Sequence, residues 1–319
     1  MNKIVVRQLG GPEQLKLESA DEPKPGIDEV LVHVQAAGIN YVDVYQRKGI
    51  YQLPLPYTPG FEGNGIIKAL GPNVSQLRVG QRIAWINTLG SYAETITLPA
   101  SQAIVLPDSL KSGNGLFFQA VTAQYLMTEY RTLKPGDWVL VHAAAGGVGQ
   151  ILVQWAKHLG ATVVGTTSSP QKAERVHAMG ADHVIDYSTS DFQTEVMKLT
   201  GQRGVDLVWD AVGQDTFQRS VQSLAREGTA VCYGAASGPA PKIDPPSLMA
   251  KAIRVAGGSI FGYIADVKQL RARSQAVIDG IQAGWLDLGA PSPYPLEEAS
   301  MAHADIESRK TQGKLMLVP

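Results

Sequence analysis

The feature that most constrains the fold is an apolar run, Trp138–Val141, that is followed by a glycine-rich turn and then by a helical pattern. The helical pattern places Ile151, Leu152 and Trp155 on one face, and Gly160 stands where the helix should end. A buried strand joined to an amphipathic helix by a short turn is the building unit of a parallel sheet. We therefore expect a parallel sheet around this segment.

Strands and helices continue to alternate downstream of this unit. Further strands are predicted at Thr162–Thr166, His183–Asp186, Val205–Asp210, Thr229–Tyr233 and Ile253–Ala256. Together with Trp138–Val141 they make six, the number in a complete dinucleotide-binding sheet. The second half of the chain thus predicts an α/β, doubly wound Rossmann domain.

The first third of the chain has a different pattern, in which short strands are separated by proline and glycine. The predicted strands are Ile4–Gln8, Leu15–Ser19, Val30–Ala36, Gly65–Leu70, Arg82–Trp85, Tyr92–Leu98 and Ala103–Leu106. A short helix over Val42–Arg47 fits between them, because Asn40 can cap it and Gly49 can end it. We expect a compact β-barrel-like domain here. The tail, with a helix at Val267–Gln282 and a strand at Leu315–Val318, is expected to return to it.

Composition excludes several classes of protein and partner. The formal net charge is −1 and no run of Lys or Arg stands out, so nucleic acid is not an expected partner. Cys232 is the only cysteine, which excludes an intrachain disulfide and a four-cysteine zinc site. The amino terminus becomes polar too early for a signal peptide, and no apolar stretch approaches a membrane span. We expect a soluble, cytoplasmic protein without a membrane partner.

The glycine-rich turn, Ala144–Gly149, lies between the first strand and its helix, where such turns bind a pyrophosphate. Gly146 would let the backbone approach the phosphates, and Gly149 would let the helix pack closely on the strand. The sequence predicts cofactor contacts at four residues: Ala145, Gly146, Gly147 and Val148. The alternative is a tight strand-to-helix turn with no ligand, and the departure from the usual motif is Ala144 in place of its first glycine.

The end of the second strand indicates which nicotinamide cofactor is bound. A carboxylate there would bind the free ribose hydroxyls of NAD, but residues 165–172 contain no acid. Hydroxyls and a cation suit the 2′-phosphate of NADPH instead, and Ser168 and Lys172 are the candidates, with Tyr187 beside them. Alternatively, Ser168 only caps the helix that begins at Pro170, and Lys172 is solvated on its first turn. Both interpretations can hold together.

Several motifs resemble the quinone oxidoreductase branch of the medium-chain dehydrogenases/reductases. They are Gly10–Glu13, Ala37–Asp43, Pro59–Gly65, Gly80–Arg82, Ala143–Gly149, Glu307–Arg309 and Gly313–Lys314. The resemblance implies a GroES-like catalytic domain made of residues 1–119 and 259–319, and a Rossmann domain of residues 120–258. It also implies a substrate cleft between the domains and a homodimer formed through the sheet edge around Ile253–Ile260.

The resemblance also bears on metal binding. Zinc-dependent relatives carry a cysteine at the position of Asn40 and a histidine at that of Phe61. Phenylalanine has no ligand atom, and an amide is a poor zinc ligand. The six histidines show no metal-ligand spacing. We therefore expect no catalytic zinc.

By resemblance, Asn40 and Tyr45 lie near the nicotinamide, where they could orient the cofactor or the acceptor oxygen. Alternatively, Asn40 is a helix cap and Tyr45 a packing residue. Gln119 stands where some relatives carry lysine, which leaves open whether it donates to a substrate carbonyl. The resemblance adds four cofactor-binding residues: Gly234, Ser259, Phe261 and Arg309.

These observations predict NADPH-dependent reduction of quinones without a metal. Reduction of the carbon–carbon double bond of enones or enoyl thioesters requires the same hydride geometry and is the nearest alternative. A non-catalytic NADPH-binding protein is the alternative of a different class.

Overall fold

The computed structural model describes residues 1–110, 115–308 and 311–319, and it divides into two compact units. The first contains Met1–Phe118, Ile264–Ser274 and Gly289–Pro319. The second contains Gln119–Tyr263 and Gln275–Leu288.

The first unit is built on a mostly antiparallel sheet of seven strands, with a separate pair of strands, β1 and β2. Its elements are β1 Asn2–Val5, β2 Lys16–Ser19, β3 Glu29–Ile39, α1 Tyr41–Arg47, β4 Glu62–Leu70, β5 Arg82–Ile86, β6 Thr95–Pro99, β7 Ile104–Val105, β14 Ser292–Pro295, α9 Ala299–Glu307 and β15 Leu315–Val318. The sheet order is β14-β15-β3-β4-β5-β7, and β6 also pairs with β3.

Strand β3 is the centre of this sheet, because it pairs with β4, β6 and β15. Val30, Val32 and Val34 alternate along it into the core and are fully buried there, as a half-buried strand requires. Trp85 and Tyr92 fill the same core. The strand ends at Ile39, so Asn40 is held at the border of the sheet by the core packing of β3.

The second unit is a Rossmann sheet. Its elements are α2 Phe118–Glu129, β8 Trp138–Val141, α3 Gly147–His158, β9 Thr162–Thr167, α4 Pro170–Ala178, β10 His183–Asp186, α5 Phe192–Leu199, β11 Val205–Asp210, α6 Phe217–Gln222, β12 Leu224–Cys232, β13 Arg254–Gly257 and α7 Ile260–Tyr263. Helix α2 begins at Phe118, which is the last residue of the first segment of the first unit. The order β10-β9-β8-β11-β12-β13 is all parallel. In such a sheet, ligands bind at the carboxyl ends of the strands, where the strand order reverses.

The tail of the chain differs in part from the sequence interpretation. Helix α8, Val267–Gln282, has the predicted bounds, but residues 259–263 and 275–288 fall in the second unit, not in the first domain. The reason is local. Gln154 donates to the Asp287 carbonyl at 2.8 Å, and Trp155 contacts Trp285 edge-on, which ties this segment to α3.

Strand β14 was not predicted, because it carries two prolines, Pro293 and Pro295. Proline cannot donate to a neighbouring strand, so it is tolerated only at an edge, which is where β14 lies. Among the described residues, no helix combines the length and apolar character that crossing a lipid bilayer requires.

Candidate cofactor and catalytic sites

The glycine-rich turn connects the carboxyl end of β8 to the amino terminus of α3. Ala143 turns the chain with φ +51°, and its carbonyl accepts the Gly146 N–H at 2.8 Å. Gly146 is then the N-cap, so α3 begins at Gly147. The first N–H groups of a helix have no partner inside it and, together with the helix dipole, attract an anion. Ala145–Val148 therefore surround a helix terminus suited to a phosphate.

Gly149 is required by packing. A Cβ there would overlap the Ala143 carbonyl oxygen and approach the Ala144 Cα at 2.8 Å. Because these are backbone atoms of the same turn, they have no room to yield. Gly149 thus lets α3 pack closely on the turn that follows β8.

Gln119 lies beside this turn. A Cβ at Gly147 would overlap the Gln119 carboxamide, so the side chain of Gln119 covers the Cα of the first helical residue of α3. The structure thus places the Gln119 amide beside the glycine-rich turn, at the start of α3. The sequence alone had left the role of Gln119 open. The missing side chain of Gly147 makes this arrangement possible.

Ser168, Lys172 and Tyr187 lie at one edge of the sheet. Lys172 Nζ donates to Ser168 Oγ at 3.5 Å, and the Tyr187 N–H donates to the Thr167 carbonyl at 3.1 Å. Burial lowers the pKa of Lys172 below its ordinary value. Tyr187 is half exposed. The Ser168 hydroxyl and the Lys172 ammonium are therefore in contact just after β9, and the backbone of Tyr187 lies beside them, directly after the register pair Thr167 and Asp186.

The capping alternative for Ser168 is wrong. The N-cap of α4 is Ser169, whose hydroxyl accepts the Lys172 N–H at 3.4 Å. Pro170 occupies the first helical position, where its fixed φ and missing N–H cost nothing, so the cap is the residue before it. The Ser168 hydroxyl is left to the Lys172 ammonium, while Lys172 does stand on the first turn.

The remaining predicted cofactor residues lie near the carboxyl edge of the same sheet or beyond it. Gly234 comes two residues after β12, and a Cβ on it would lie 2.6 Å from the Ala211 carbonyl oxygen. Ser259 is exposed, and Phe261 belongs to α7. Arg309 lies outside the described residues.

In the first unit, Asn40 belongs to a buried charged cluster with Glu62 and Lys314. Asn40 Nδ2 donates to Glu62 Oε2 at 2.8 Å, and Lys314 Nζ donates to Asn40 Oδ1 at 2.8 Å. Lys314 and Glu62 also form an ion pair, and the Phe118 N–H donates to Glu62 Oε1 at 2.8 Å. The two charges therefore determine which way the Asn40 amide points.

Sequence reasoning missed Glu62 and Lys314 as site residues, because they are 252 positions apart. One signal was present. A Cβ at Gly38 would overlap the Glu62 carboxylate and lie 2.8 Å from the Lys314 side chain, so Gly38 makes room for the pair. Gly38, the glycine of the motif Ala37–Asp43, therefore marks the place where the Glu62 and Lys314 side chains pass over β3.

A second buried chain of hydrogen bonds begins at Asn40. Asp43 Oδ2 accepts the Asn40 N–H at 2.8 Å and the Tyr92 hydroxyl at 3.2 Å, and Tyr92 Oη lies 3.0 Å from His303 Nε2. The first bond is half of a capping box, so Asn40 does occupy the N-cap of α1, as the capping alternative has it. Burial raises the pKa of Asp43 to about 7 and lowers that of His303 to about 3.

Tyr45 lies in a group of three tyrosines. Its ring centroid is 6.0 Å from that of Tyr41 and 5.5 Å from that of Tyr51, the latter edge-on. Tyr45 is half-buried and Tyr51 is 50% exposed, so one side of the group reaches solvent. These contacts agree with the alternative in which Tyr45 is a packing residue.

Within residues 1–110, 115–308 and 311–319, no three His, Cys, Asp or Glu side chains come together as a metal site.

Comparison with known proteins agrees with both units. Residues 26–108 match the alcohol dehydrogenase GroES-like domain, and residues 147–276 match the zinc-binding dehydrogenase domain. The chain is 37% identical to 2-haloacrylate reductase of a Burkholderia species, over 99% of this chain and 98% of that protein. It is 36% identical to quinone oxidoreductase 1 of Escherichia coli, over 99% of each. The chain belongs to the quinone oxidoreductase family.

Solved structures of this quinone oxidoreductase family extend the agreement. The crystal structure of Escherichia coli quinone oxidoreductase complexed with NADPH superposes with a TM-score of 0.96 at 35% identity and covers all of both chains. The predicted combination of a GroES-like domain and a Rossmann domain is confirmed, and so is the predicted family.

Proposed function

We propose that this chain is an NADPH-dependent reductase that transfers a hydride to quinones without a metal. The observation that carries the proposal is the contact between Ser168 and Lys172 just after β9, in a segment, residues 165–172, that offers hydroxyl donors and a cation and contains no acid. A 2′-phosphate needs such partners, whereas the free ribose hydroxyls of NAD need an acceptor. Relatives named quinone oxidoreductase, and one solved with NADPH, support it.

The residues of the second unit fit this cofactor. Ala145–Val148 would hold the pyrophosphate at the amino terminus of α3, where a side chain at Gly146 would come 3.1 Å from the Ala143 carbonyl oxygen. Ser168 and Lys172 would hold the 2′-phosphate. Gly234, Ser259 and Phe261 would adjoin the nicotinamide. NADPH supplies the hydride when bound.

In the first unit, Asn40 would orient the acceptor. Its Nδ2 gives one proton to Glu62 and its Oδ1 accepts from Lys314, so the second Nδ2 proton has a fixed direction. A fixed N–H donor stabilises negative charge that develops on a quinone oxygen without reorganising at the moment of reaction. Tyr45 and Gln119 are proposed as further donors. Tyr45 would act as a hydrogen-bond donor to the acceptor oxygen.

One observation favours a second activity, reduction of an activated carbon–carbon double bond. The 37% identical relative is named 2-haloacrylate reductase. Both reactions require an acceptor carbon beside the nicotinamide and a donor at the nearby oxygen.

Steady-state NADPH oxidation, screened with quinones, enones, 2-haloacrylate and aldehydes, tests the proposal. We expect the highest kcat/KM with a quinone. A higher value with enones or 2-haloacrylate would establish the alkene reductase instead. Thermal protection by NADPH without oxidation of any acceptor would identify a non-catalytic binder.

The cofactor preference is tested by Lys172→Ala. Loss of a charge-assisted contact should weaken NADPH binding about 10- to 100-fold and leave NADH binding unchanged, measured by fluorescence titration. Lys198→Ala removes an exposed lysine of the same unit and should change neither. Equal affinity of the parent protein for NADH and NADPH would defeat the proposed preference.

We also propose a cytoplasmic homodimer. Its support is β13, Arg254–Gly257, which is the last strand of the sheet and pairs with β12 alone in the described part of the chain. An edge strand can add a strand from a second copy. Analytical ultracentrifugation should give about twice the 34.1 kDa chain mass. A monomer at micromolar concentration would contradict the proposal.

A further inference from the structure

A fully buried polar chain runs through the second unit and lies outside the residues proposed to touch the cofactor. It joins Thr166, His142, Ser220 and Asp210, each with zero exposure. Thr166 Oγ1 lies 3.0 Å from His142 Nδ1, and Ser220 Oγ lies 2.9 Å from His142 Nε2. Ser220 Oγ then donates to Asp210 Oδ2 at 2.7 Å. We refer to these four residues as the His142 chain.

The carboxylate at its end fixes the directions of two hydrogen bonds in the His142 chain. Asp210 only accepts, so the Ser220 proton points to it. The Thr216 carbonyl is a competing acceptor for that proton, but it is farther, at 3.0 Å, and uncharged. Ser220 Oγ must then accept from His142 Nε2–H. Burial lowers the pKa of His142 and so favours the neutral imidazole, in which Nδ1 accepts from the Thr166 hydroxyl.

In the His142 chain, Thr166 lies on β9, His142 directly follows β8, Asp210 ends β11, and Ser220 lies on α6. The three strands are neighbours in the order β9-β8-β11. His142 immediately precedes the pyrophosphate turn, and Thr166 lies two residues before Ser168. The Thr166 carbonyl also accepts the Ala144 N–H at 3.1 Å, a second tie between β9 and the turn. The His142 chain therefore begins beneath the part of the proposed site that would hold the adenosine and the pyrophosphate.

At its other end, Asp210 orders the segment that follows β11. Its Oδ1 accepts the Val212 N–H at 2.8 Å and the Gly213 N–H at 3.0 Å. This segment packs on Gly234, where a Cβ would come 2.6 Å from the Ala211 carbonyl oxygen. The far end of the His142 chain thus supports the side of the site proposed for the nicotinamide.

We infer that His142 and Ser220 are positioning residues that hold the pyrophosphate turn in register with the nicotinamide-side segment at Ala211–Gly213 and Gly234. The inference rests on the proposed binding of NADPH. The side chains of the His142 chain lie beneath the site and act through the backbone on either side of it. Only the whole cofactor needs both parts of the site aligned, whereas its adenosine half needs the β8–β9 part alone.

Ser220→Ala cuts the His142 chain between β8 and β11 and leaves the ties between β8 and β9 intact. We expect NADPH to bind about tenfold more weakly, because the imidazole N–H loses its acceptor and the two parts of the site lose register. Adenosine 2′,5′-bisphosphate should bind within about twofold of the parent protein, since one hydrogen bond at a distance moves its part of the site little. Isothermal titration measures both dissociation constants.

Ser223→Ala is the matched control. Ser223 is also fully buried and donates to a carbonyl four residues earlier, Arg219, at 2.8 Å, but it lies outside the His142 chain. It should leave both dissociation constants unchanged. Equal weakening of NADPH and the bisphosphate in Ser220→Ala, or no weakening of either, would overturn the inference.

Nitrogen-15 NMR of the histidine rings tests the proton positions in the His142 chain. At neutral pH we expect His142 to show the neutral Nε2–H tautomer, because burial lowers its pKa and the Ser220 hydroxyl accepts from Nε2–H. In Ser220→Ala the tautomer signal should broaden or shift. An Nδ1–H tautomer in the parent protein would overturn the inference.

If the parent protein binds NADPH and Ser220→Ala binds it equally well, only the positioning role fails. If the parent protein binds neither NADPH nor the bisphosphate, the proposed function fails and the inference falls with it.

Discussion

Asn40, Glu62 and Lys314 show how a single amide acquires a fixed orientation. Each end of the Asn40 carboxamide meets a group of opposite character, the carboxylate at Nδ2 and the ammonium at Oδ1. All three side chains are buried, so neither charge can be left without its partner at low cost. The orientation of Asn40 is therefore coupled to the stability of the first unit.

Lys314→Met should lower the free energy of unfolding by about 3 kcal/mol, because it leaves the buried Glu62 carboxylate without its cation. Urea denaturation measures the loss. The double variant Lys314→Met/Glu62→Gln should recover a large part of it, since no buried charge remains. A loss well under 1 kcal/mol in the single variant would show that the pair is not buried as described.

Gly147 and Gly149 allow a second comparison between single residues. Gly149→Ala forces a methyl group against backbone atoms of the turn and should cost about 2 kcal/mol or more. Gly147→Ala meets only the far end of the Gln119 side chain, which can rotate away, so stability should change by less than about 1 kcal/mol.

Quinone turnover then tests Gln119. If its amide assists the acceptor, Gly147→Ala should lower kcat, because Gln119 is displaced, and Gln119→Ala should lower kcat by a similar factor. Combining the two changes should have no further effect. Unchanged kcat in both single variants would remove Gln119 from the candidate catalytic residues.

Helix α4 separates two roles that its first residues could play. Ser169 caps the helix by accepting the Lys172 N–H, whereas the Ser168 hydroxyl faces the Lys172 ammonium. The Ser169 cap stabilises the helix. Under the proposed function, the Ser168 hydroxyl would contact the 2′-phosphate, so the two adjacent serines would have separate roles in folding and in binding.

Ser169→Ala should lower the free energy of unfolding by about 1 kcal/mol and leave the ratio of NADPH to NADH affinity nearly unchanged. Ser168→Ala should do the opposite, with little loss of stability and a several-fold weaker affinity for NADPH. Thermal denaturation and fluorescence titration distinguish the two. If both variants behaved alike, the division of roles would be wrong.

At the turn between β8 and helix α3, Gly149 packs on the backbone of Ala143 and Ala144. Strand β8 also pairs with β11, and the His142 N–H donates to the Trp209 carbonyl at 3.0 Å. The His142 chain is the side-chain connection, in addition to this backbone pairing, that we propose for positioning the cofactor site.

At the scale of the whole molecule, two buried groups with shifted pKa values give opposing effects of pH on stability. The folded chain holds the Asp43 proton up to a pKa of about 7, while the unfolded chain releases it near 3.8. Stability from this group is therefore full below about pH 4 and is lost as pH rises to about 7. His303 has a folded pKa of about 3 against 6.5, so its contribution is present above pH 6.5 and is lost as pH falls toward 3.

Asp43→Asn removes the pH dependence of stability that comes from Asp43 and leaves the one that comes from His303. The variant should gain stability relative to the parent protein by about 1.4 kcal/mol for each pH unit between 4 and 7. Urea denaturation at pH 4, 5, 6 and 7 measures the difference. A difference that does not change with pH would show that Asp43 titrates alike in both states.

Local sequence patterns were sufficient for the elements whose stability is local. Strands β8, β10 and β11 and helix α8 have their predicted bounds, because a short apolar run or a helical period is read within the element itself. Strand β12 begins at Leu224, five residues before the predicted Thr229, since the residues Arg226 and Glu227 interrupt the apolar pattern. The capping alternative placed the N-cap of α4 at Ser168, one residue early, because Ser168 and Ser169 are chemically the same.

By itself, the sequence determined the Rossmann sheet, the glycine-rich turn, the absence of an acid in the residues directly after β9 and the family. Only the tertiary structure decided that Lys314 reaches Asn40, that Gln119 covers Gly147, and that the His142 chain joins three strands. The physical reason is that these contacts link residues 24 to 274 positions apart, each through one buried hydrogen bond or one missing methyl group. A contact of that kind leaves no periodicity in the sequence, and its partners are selected by the packing of the folded core.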